Sequence, residues 1–184
     1  HQAAIVDWND RCAALAAAST DGGWEAPSLD ESAWDAENLP GGWERSGLKI
    51  DGVVWYRRAV DVAPDLAGQD LHLSLGTIDD HDTTWWDGTR VGGTEDRTVA
   101  RVYDIPAALA TAGRHVIAVR VVDLGDNGGL RGRPDQLRLV AGGDRSMPLA
   151  GRWRRRVAVQ FPARPVPEAG PDKRGFPSGL RNGM

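Results

Sequence analysis

The sequence predicts an all-β protein: an antiparallel β-sandwich of jelly-roll type with about eight strands. A short N-terminal helix precedes it and an irregular, proline-rich tail follows. Three observations carry this reading. From residue 52 onward, apolar residues alternate with period two over short runs. Those runs are separated by Gly- and Asp-rich turns, with no helix-length segment between them. Gly (23) and Pro (11) are frequent, as a chain with many turns requires. A length of 184 residues suits one domain with one unstapled core.

The elements follow in order. Residues 4–18 favour helix, with Ile5, Trp8, Cys12 and Leu15 on one apolar face. Ser19 to Gly23 ends it. Residues 24–46 read as irregular chain with a helical turn at 30–34 capped by Asp30. Trp24, Trp34 and Trp43 pin that segment onto a sheet, and Trp55 joins them as core and staple. Val53–Val62 is a strand. Asp70–Leu75 is another, with Leu71, Leu73 and Leu75 on one face. Thr83–Trp86 runs into Asp87-Gly88, a hairpin signal, and Thr89–Val91 returns. Arg101–Ile105 is a strand stopped by Pro106, with one helical turn after it. Arg114–Asp123 is the strongest strand. Gln136–Ala141 and Met147–Gln160 supply the last ones. The organisation is therefore a helical lead-in over 1–23, a sandwich over 24–160 and a linker or lid over 161–184. Five prolines between Pro162 and Pro177 mark that linker. The end at Arg181 to Met184 looks like a cut inside a larger protein.

Charge excludes some functions. There are 22 basic and 26 acidic side chains, a net charge of −4, which excludes a generally basic nucleic-acid binder. No run of about 18 apolar residues predicts a membrane span. The single cysteine, Cys12, excludes an internal disulfide and a multi-Cys zinc site. His1, His72, His81 and His115 have no ligand-like spacing. Residues 1–20 lack a basic start and a cleavage site. No nucleophile elbow, HExxH, phosphate loop or dinucleotide fingerprint occurs. No catalytic residue, metal ligand or cofactor is expected. Residues 131–184 carry 12 basic and 4 acidic side chains, with a peak at Arg152-Trp153-Arg154-Arg155-Arg156. That peak reads as an anion or polysaccharide contact, as a charge-guarded edge strand, or as a face for an acidic neighbouring domain.

The candidate site is Asp79-Asp80-His81-Asp82. Three carboxylates within four residues suit sugar hydroxyls or calcium. Equally, they cap a tight strand crossing and pair with Arg101 or backbone amides. Trp85 and Trp86 face opposite sides of a strand, one toward the core and one available as a sugar platform or domain contact. Asp123 to Gly129 is a polar, Gly-rich loop of the kind that binds ligands. The candidate ligand-contact residues are Asp79, Asp80, Asp82, Trp85, Trp86, Arg101, Asp123 and Asn127.

Taken in order, these residues carry a resemblance. Trp34, Leu39 to Glu44, then Asp51 to Arg58 resemble the start of a sugar-binding-like jelly roll. Leu73 to Asp82, Asp87 to Gly92, Arg101 to Pro106, Gly113 to Asp123 and Gly128-Gly129 resemble its middle and end. The set is similar to the galactose-binding-like sandwich inserted in sialate O-acetylesterases, and to the sugar-binding domain of glycoside hydrolase family two. Leu149 to Trp153 and Leu180 to Met184 look like the sandwich's last strand and the re-entry into a catalytic α/β domain, which favours the esterase. Asp87 and His115 depart from the family, which usually has Asn at both places.

The resemblance implies a non-catalytic insert. The family's Gly-Gln-Ser-Asn-Met serine motif and its Asp and His are absent. The implied parent is a secreted or periplasmic serine carbohydrate esterase of SGNH type. The implied partners are carbohydrate (sialic acid or an acetylated polysaccharide) and the parent's own catalytic domain, with no nucleic acid and no membrane. Two alternatives stand beside it: the accessory sandwich of a family-two glycosidase, and a purely structural module.

Overall fold

The computed structural model describes residues 2–19, 22–142 and 145–166. Helix α1 (Gln2–Ala18) leads. Twelve strands follow among the described residues: β1 (Asp35–Leu39), β2 (Gly41–Gly42), β3 (Gly52–Val62), β4 (Leu71–Asp79), β5 (His81–Trp86), β6 (Thr89–Thr94), β7 (Ala100–Ile105), β8 (Gly113–Asp123), β9 (Gly129–Leu130), β10 (Leu137–Val140), β11 (Ser146–Pro148) and β12 (Gly151–Gln160). They form two antiparallel sheets. The first runs β1-β12-β3-β8-β5-β6; the second runs β11-β10-β4-β9-β2, with β7 also paired to β4. The predicted sandwich is the observed one. The strands exceed the expected count because β1, β2, β9 and β11 are short and lack alternation. The expected helical turns at 30–34 and 106–109 are hydrogen-bonded turns, Trp34 to Glu31 and Leu109 to Pro106.

Alternation explains the core. Val54, Tyr56, Val60 and Val62 of β3 and Ile117, Val119 and Val121 of β8 point between the sheets. Leu71, Leu73, Leu75 and Ile78 of β4 meet them, with Trp43, Trp86 and Trp153 filling the gaps. Each fully buried aliphatic side chain contributes about 1.5–3 kcal/mol. Gly128 is needed here, because a Cβ on it would lie 2.1 Å from the Trp43 ring. The β5–β6 hairpin turns at Asp87 and Gly88 with φ of 46° and 79°, a pair of positive values that matches the strand twist.

The outer face of the first sheet carries a second apolar cluster. Val53, Trp55, Ala118 and Val122 meet Trp8 and Cys12 of α1, with Trp34 and Phe161. The helix buries Trp8 and Cys12, but Leu15 is 37% exposed and Ala16 takes its place against the cluster. Spacing from Trp8 explains this correction: Cys12 and Ala16 continue at i+4 and i+8, along one ridge. Arg57 fastens the irregular segment to the sheet, donating to Glu31 Oε2 at 2.8 Å, to the Ala26 carbonyl at 3.0 Å and to the Trp24 carbonyl.

Two expectations change. The arginine run is not an edge, since β12 lies between β1 and β3. Trp153 is core, Arg154 donates to the Trp34 carbonyl, Arg155 pairs with Glu37 and Asp35 of β1, and Arg156 lies over the Trp24 ring. The proline-rich tail starts as packed chain: Phe161 is buried and the Pro162 carbonyl accepts from Trp8 Nε1 at 2.8 Å. The rest of the expected linker, from residue 167, lies outside the described residues.

Candidate functional site

The chain crosses from the second sheet to the first between Asp79, the last residue of β4, and His81, the first of β5. The crossing residue Asp80 donates its N–H to the Val122 carbonyl at 3.1 Å, and the Asp79–Asp80 peptide is cis. Strand alternation then sends Asp82 inward and leaves His81 and Thr83 outward.

Asp82 is consumed by the fold. Its side chain is 0% exposed, and Arg101 Nε donates to it at 2.9 Å with a side chain equally buried. Tyr103 Oη and Thr84 Oγ1 donate to it at 2.9 Å as well. Burial, then the Asp82 carboxylate, push the Tyr103 hydroxyl up, so it stays a donor. Arg101 spends its remaining N–H groups on the carbonyls of Asp80, Asp96 and Val99. A buried ion pair of this kind survives because every donor and acceptor is matched.

Asp80 caps the exit of β8: its Oδ2 accepts from the Leu124 N–H at 2.9 Å. Asp123 sits below it, wholly buried, with Oδ1 accepting from the Gly125 N–H at 2.9 Å and Oδ2 without a partner. Burial pushes the Asp123 carboxyl up to about 8, helped by Asp51, Asp80 and Asp79 and opposed by the Gly125 bond. It is a protonated acid at neutral pH. Asp79 lines a cleft of about 320 Å³ with Arg97, Thr98 and Arg131. Burial, then its hydrogen bond and repulsion with Asp80, raise its pKa; Arg131 at 3.5 Å and Arg97 at 3.9 Å oppose that. Among the described residues no group of three or more His, Cys, Asp or Glu is arranged to hold a metal ion.

The remaining sequence candidates are dispersed. Trp86 is core, and its Nε1 donates to the Leu109 carbonyl. Trp85 is half-buried on the outer face and stacks on Trp55, with centroids 4.9 Å apart. One face of its ring is therefore occupied. Asn127 is exposed, and its carbonyl accepts from Arg131 at 3.5 Å. The structure thus joins Asp79, Asp80, Asp82, Arg101, Asp123 and Asn127 at one end of the sandwich. Trp85 and Trp86 lie apart from them. Sequence reasoning misses Tyr103, Arg97 and Arg131. Only strand pairing of β4 with β7 and β9 brings them in.

Asp87 and His115, the two places where the sequence resemblance expects Asn, are a matched pair. His115 Nδ1 lies 2.6 Å from Asp87 Oδ2, and Asp87 Oδ1 accepts from the Val116 N–H at 2.7 Å. His115 Nε2 lies 2.7 Å from the Thr111 carbonyl and 3.4 Å from its hydroxyl. The nearer carbonyl is an acceptor, so Nε2 donates and cannot serve as a base for Thr111. The string Asp87–His115–Thr111 closes a turn.

No protein-family model matches the chain, and no curated protein matches it. Solved structures do. A glycosyl hydrolase family 2 member from Bacteroides cellulosilyticus DSM 14838 aligns with TM-score 0.52 and 24% identity, over 60% of this chain and 17% of that one. A β-glucuronidase from Bacteroides uniformis aligns with TM-score 0.52 and 19% identity, over 73% and 16%. A β-glycosidase from Bacteroides vulgatus aligns with TM-score 0.50 and 18% identity, over 60% and 17%. The chain therefore spans about a sixth of each. Nothing in these comparisons supports a sialate O-acetylesterase parent. The backbone fold of this chain is that of a β-sandwich present in glycosyl hydrolase family 2 structures.

Proposed function

We propose that this chain is a sugar-binding-type accessory sandwich of a glycoside hydrolase, the alternative to the esterase insert that the motif order favours. The backbone likeness to glycosidase sandwiches is the observation that carries it. A second support is chemical: among the described residues the Asp, His and hydroxyl groups in contact form turn closures and ion pairs rather than a nucleophile with a free base. The partners in this reading are carbohydrate and the parent's own catalytic domain. A contact with the parent's own catalytic domain at the sandwich end runs through Asp79, Asn127 and the exposed edge of Asp80. Asp82, Arg101 and Asp123 hold the end in shape.

The test has two parts. Full-length parent assayed on aryl β-glycosides and aryl acetates separates glycosidase from esterase. Glycoside cleavage supports the proposal, and acetate release alone overturns it. Titration calorimetry of this chain with β-linked oligosaccharides tests the binding role. Saturable heat supports it; no heat up to millimolar sugar makes the chain a scaffold.

A further inference from the structure

A groove of about 920 Å³ runs between α1 and the β5–β6 hairpin, against about 320 Å³ for the cleft at Asp79. That volume falls within the roughly 300–1,000 Å³ of small-ligand sites. Its floor is the outer face of the first sheet, with Thr83, Gly93 and Arg120; the exposed face of α1 forms its wall. Ala13, an exposed small residue of α1, leaves space on the helix side of the groove that a larger side chain would fill.

Two independent observations point to a ligand. The first is Arg120, which is only 8% exposed. It donates through Nη2 to the Ala16 carbonyl and Ser19 Oγ, while its Nε, inside the protein, has no partner. None of the ion pairs among the described residues includes it. A buried N–H left unbonded costs about 1–3 kcal/mol, so such donors are rare unless something else supplies the acceptor. The second is the ring of polar groups around it. The side chains of Asn9, Asp10, His81, Arg90 and Glu95 line the groove and make no hydrogen bond or ion pair among the described residues. At the acidic sandwich end the unpartnered buried atoms are carboxylate oxygens of Asp79 and Asp123, while its donors are taken up by internal acceptors.

The charges identify the ligand class. Arg90 and Arg120 are offset by Asp10 and Glu95. An anion would face the two carboxylates, and a cation the two guanidinium groups. Vicinal hydroxyls donate and accept at once, which suits both signs. We infer that this groove, and not the acidic sandwich end, is the carbohydrate site, and that its ligand is a short uncharged saccharide; the inference rests on the sugar-binding reading above. Arg90 and the Arg120 guanidinium donate to sugar oxygens, and Asp10 and Glu95 accept from sugar hydroxyls. No Trp, Tyr or Phe lines the groove among the described residues, so hydrogen bonds carry the binding, with a Kd on the order of 0.1–1 mM.

The experiment is calorimetric titration of the full chain with neutral disaccharides (cellobiose, xylobiose, mannobiose) and with glucuronic acid. Three variants accompany wild type: Ala13→Trp, which fills the groove from an exposed helix position; the double variant Arg90→Ala/Glu95→Ala; and Asp79→Ala as the control at the sandwich end. Circular dichroism and thermal melting verify that each is folded. The expected result is binding of a neutral disaccharide, weakened at least about tenfold by both groove changes and less than about twofold by Asp79→Ala. Binding unaffected by the groove variants overturns this inference and leaves the sugar-binding reading standing. Binding of glucuronic acid alone overturns the assignment to an uncharged sugar. No binding by wild type overturns the sugar-binding reading itself, and the groove assignment with it.

Discussion

At the crossing end of the sandwich, polar residues crowd together and most answer one another; around the groove at α1, Asn9, Asp10, His81, Arg90 and Glu95 come from separate elements and have no side-chain partner among the described residues. Asp82 has three donors and Arg101 has four acceptors, all from the protein. Arg90, Glu95, Asp10 and Asn9 face a groove instead. The first arrangement keeps two sheets joined at a point where the chain changes sheets. The second contributes little to folding and leaves its hydrogen-bonding capacity for something else. Density of charge in the sequence is therefore a poor guide to a site here. Lack of internal partners is a better one.

The sharpest way to break this comparison is Asp82→Ala. It strands a fully buried guanidinium and the Tyr103 hydroxyl, and should cost about 3–5 kcal/mol, read as a shift in the urea midpoint at constant slope. A loss below about 1 kcal/mol would show that the network is dispensable.

Asp123→Asn should act in the opposite direction and depend on pH. The folded carboxyl titrates at about 8, against an ordinary value of 3.8. Between those values the folded state keeps a proton that the unfolded chain has released. Stability contributed by that proton is present below about pH 4, falls as pH rises, and is gone above pH 8. Asparagine retains the acceptor for the Gly125 N–H and carries no charge. At pH 9 the variant should be more stable than wild type by about 2–4 kcal/mol, and equal to it near pH 4. Equal melting at pH 9 would place the carboxylate in contact with water.

Arg120→Met tests the link between groove and helix. The guanidinium closes the C-terminal carbonyl of Ala16, in a helix with no basic residue in its own last turn. Its loss should cost about 1–2 kcal/mol and speed labelling of Cys12 by a thiol reagent about 5- to 30-fold. Cys12 is fully buried in wild type, and burial, then Asp51, raise its thiol pKa. Unchanged labelling would mean that Trp8 alone docks the helix.

The smallest effect belongs to the groove rim. Arg90→Ala/Glu95→Ala should change stability by less than about 0.5 kcal/mol, because neither side chain has a partner among the described residues. Together with the loss at Asp82, this result would separate residues held for the fold from those free for a ligand.

Much of the fold is legible in the chain itself. Alternation through Leu71, Leu73 and Leu75, and the apolar run from Val116 to Val122, mark the strands that build the core. The Asp87-Gly88 pair marks where a hairpin turns. These are local signals with a fixed period or a fixed turn chemistry, so they survive in one dimension. The two-residue strands at Gly41 and Gly129 carry no period and leave no such trace. The candidate site is legible only in part. Asp79 to Asp82 stand out because they are adjacent, and the tight crossing with Arg101 is one expected reading of them.

Other properties belong to the tertiary structure. The order of strands makes β12 an interior strand, although its arginines suggest an edge. Burial turns Asp123 into an acid that holds its proton to about pH 8. Packing of Trp55 against Trp85 removes one face of a platform that strand parity alone leaves open. The groove needs α1, β5, β6 and β8 together, elements separated by up to about a hundred residues. Period and turn chemistry act between neighbours and are written in the order of residues. Desolvation and the pairing of distant donors with acceptors depend on what lies across a gap in space, and only the folded backbone decides that.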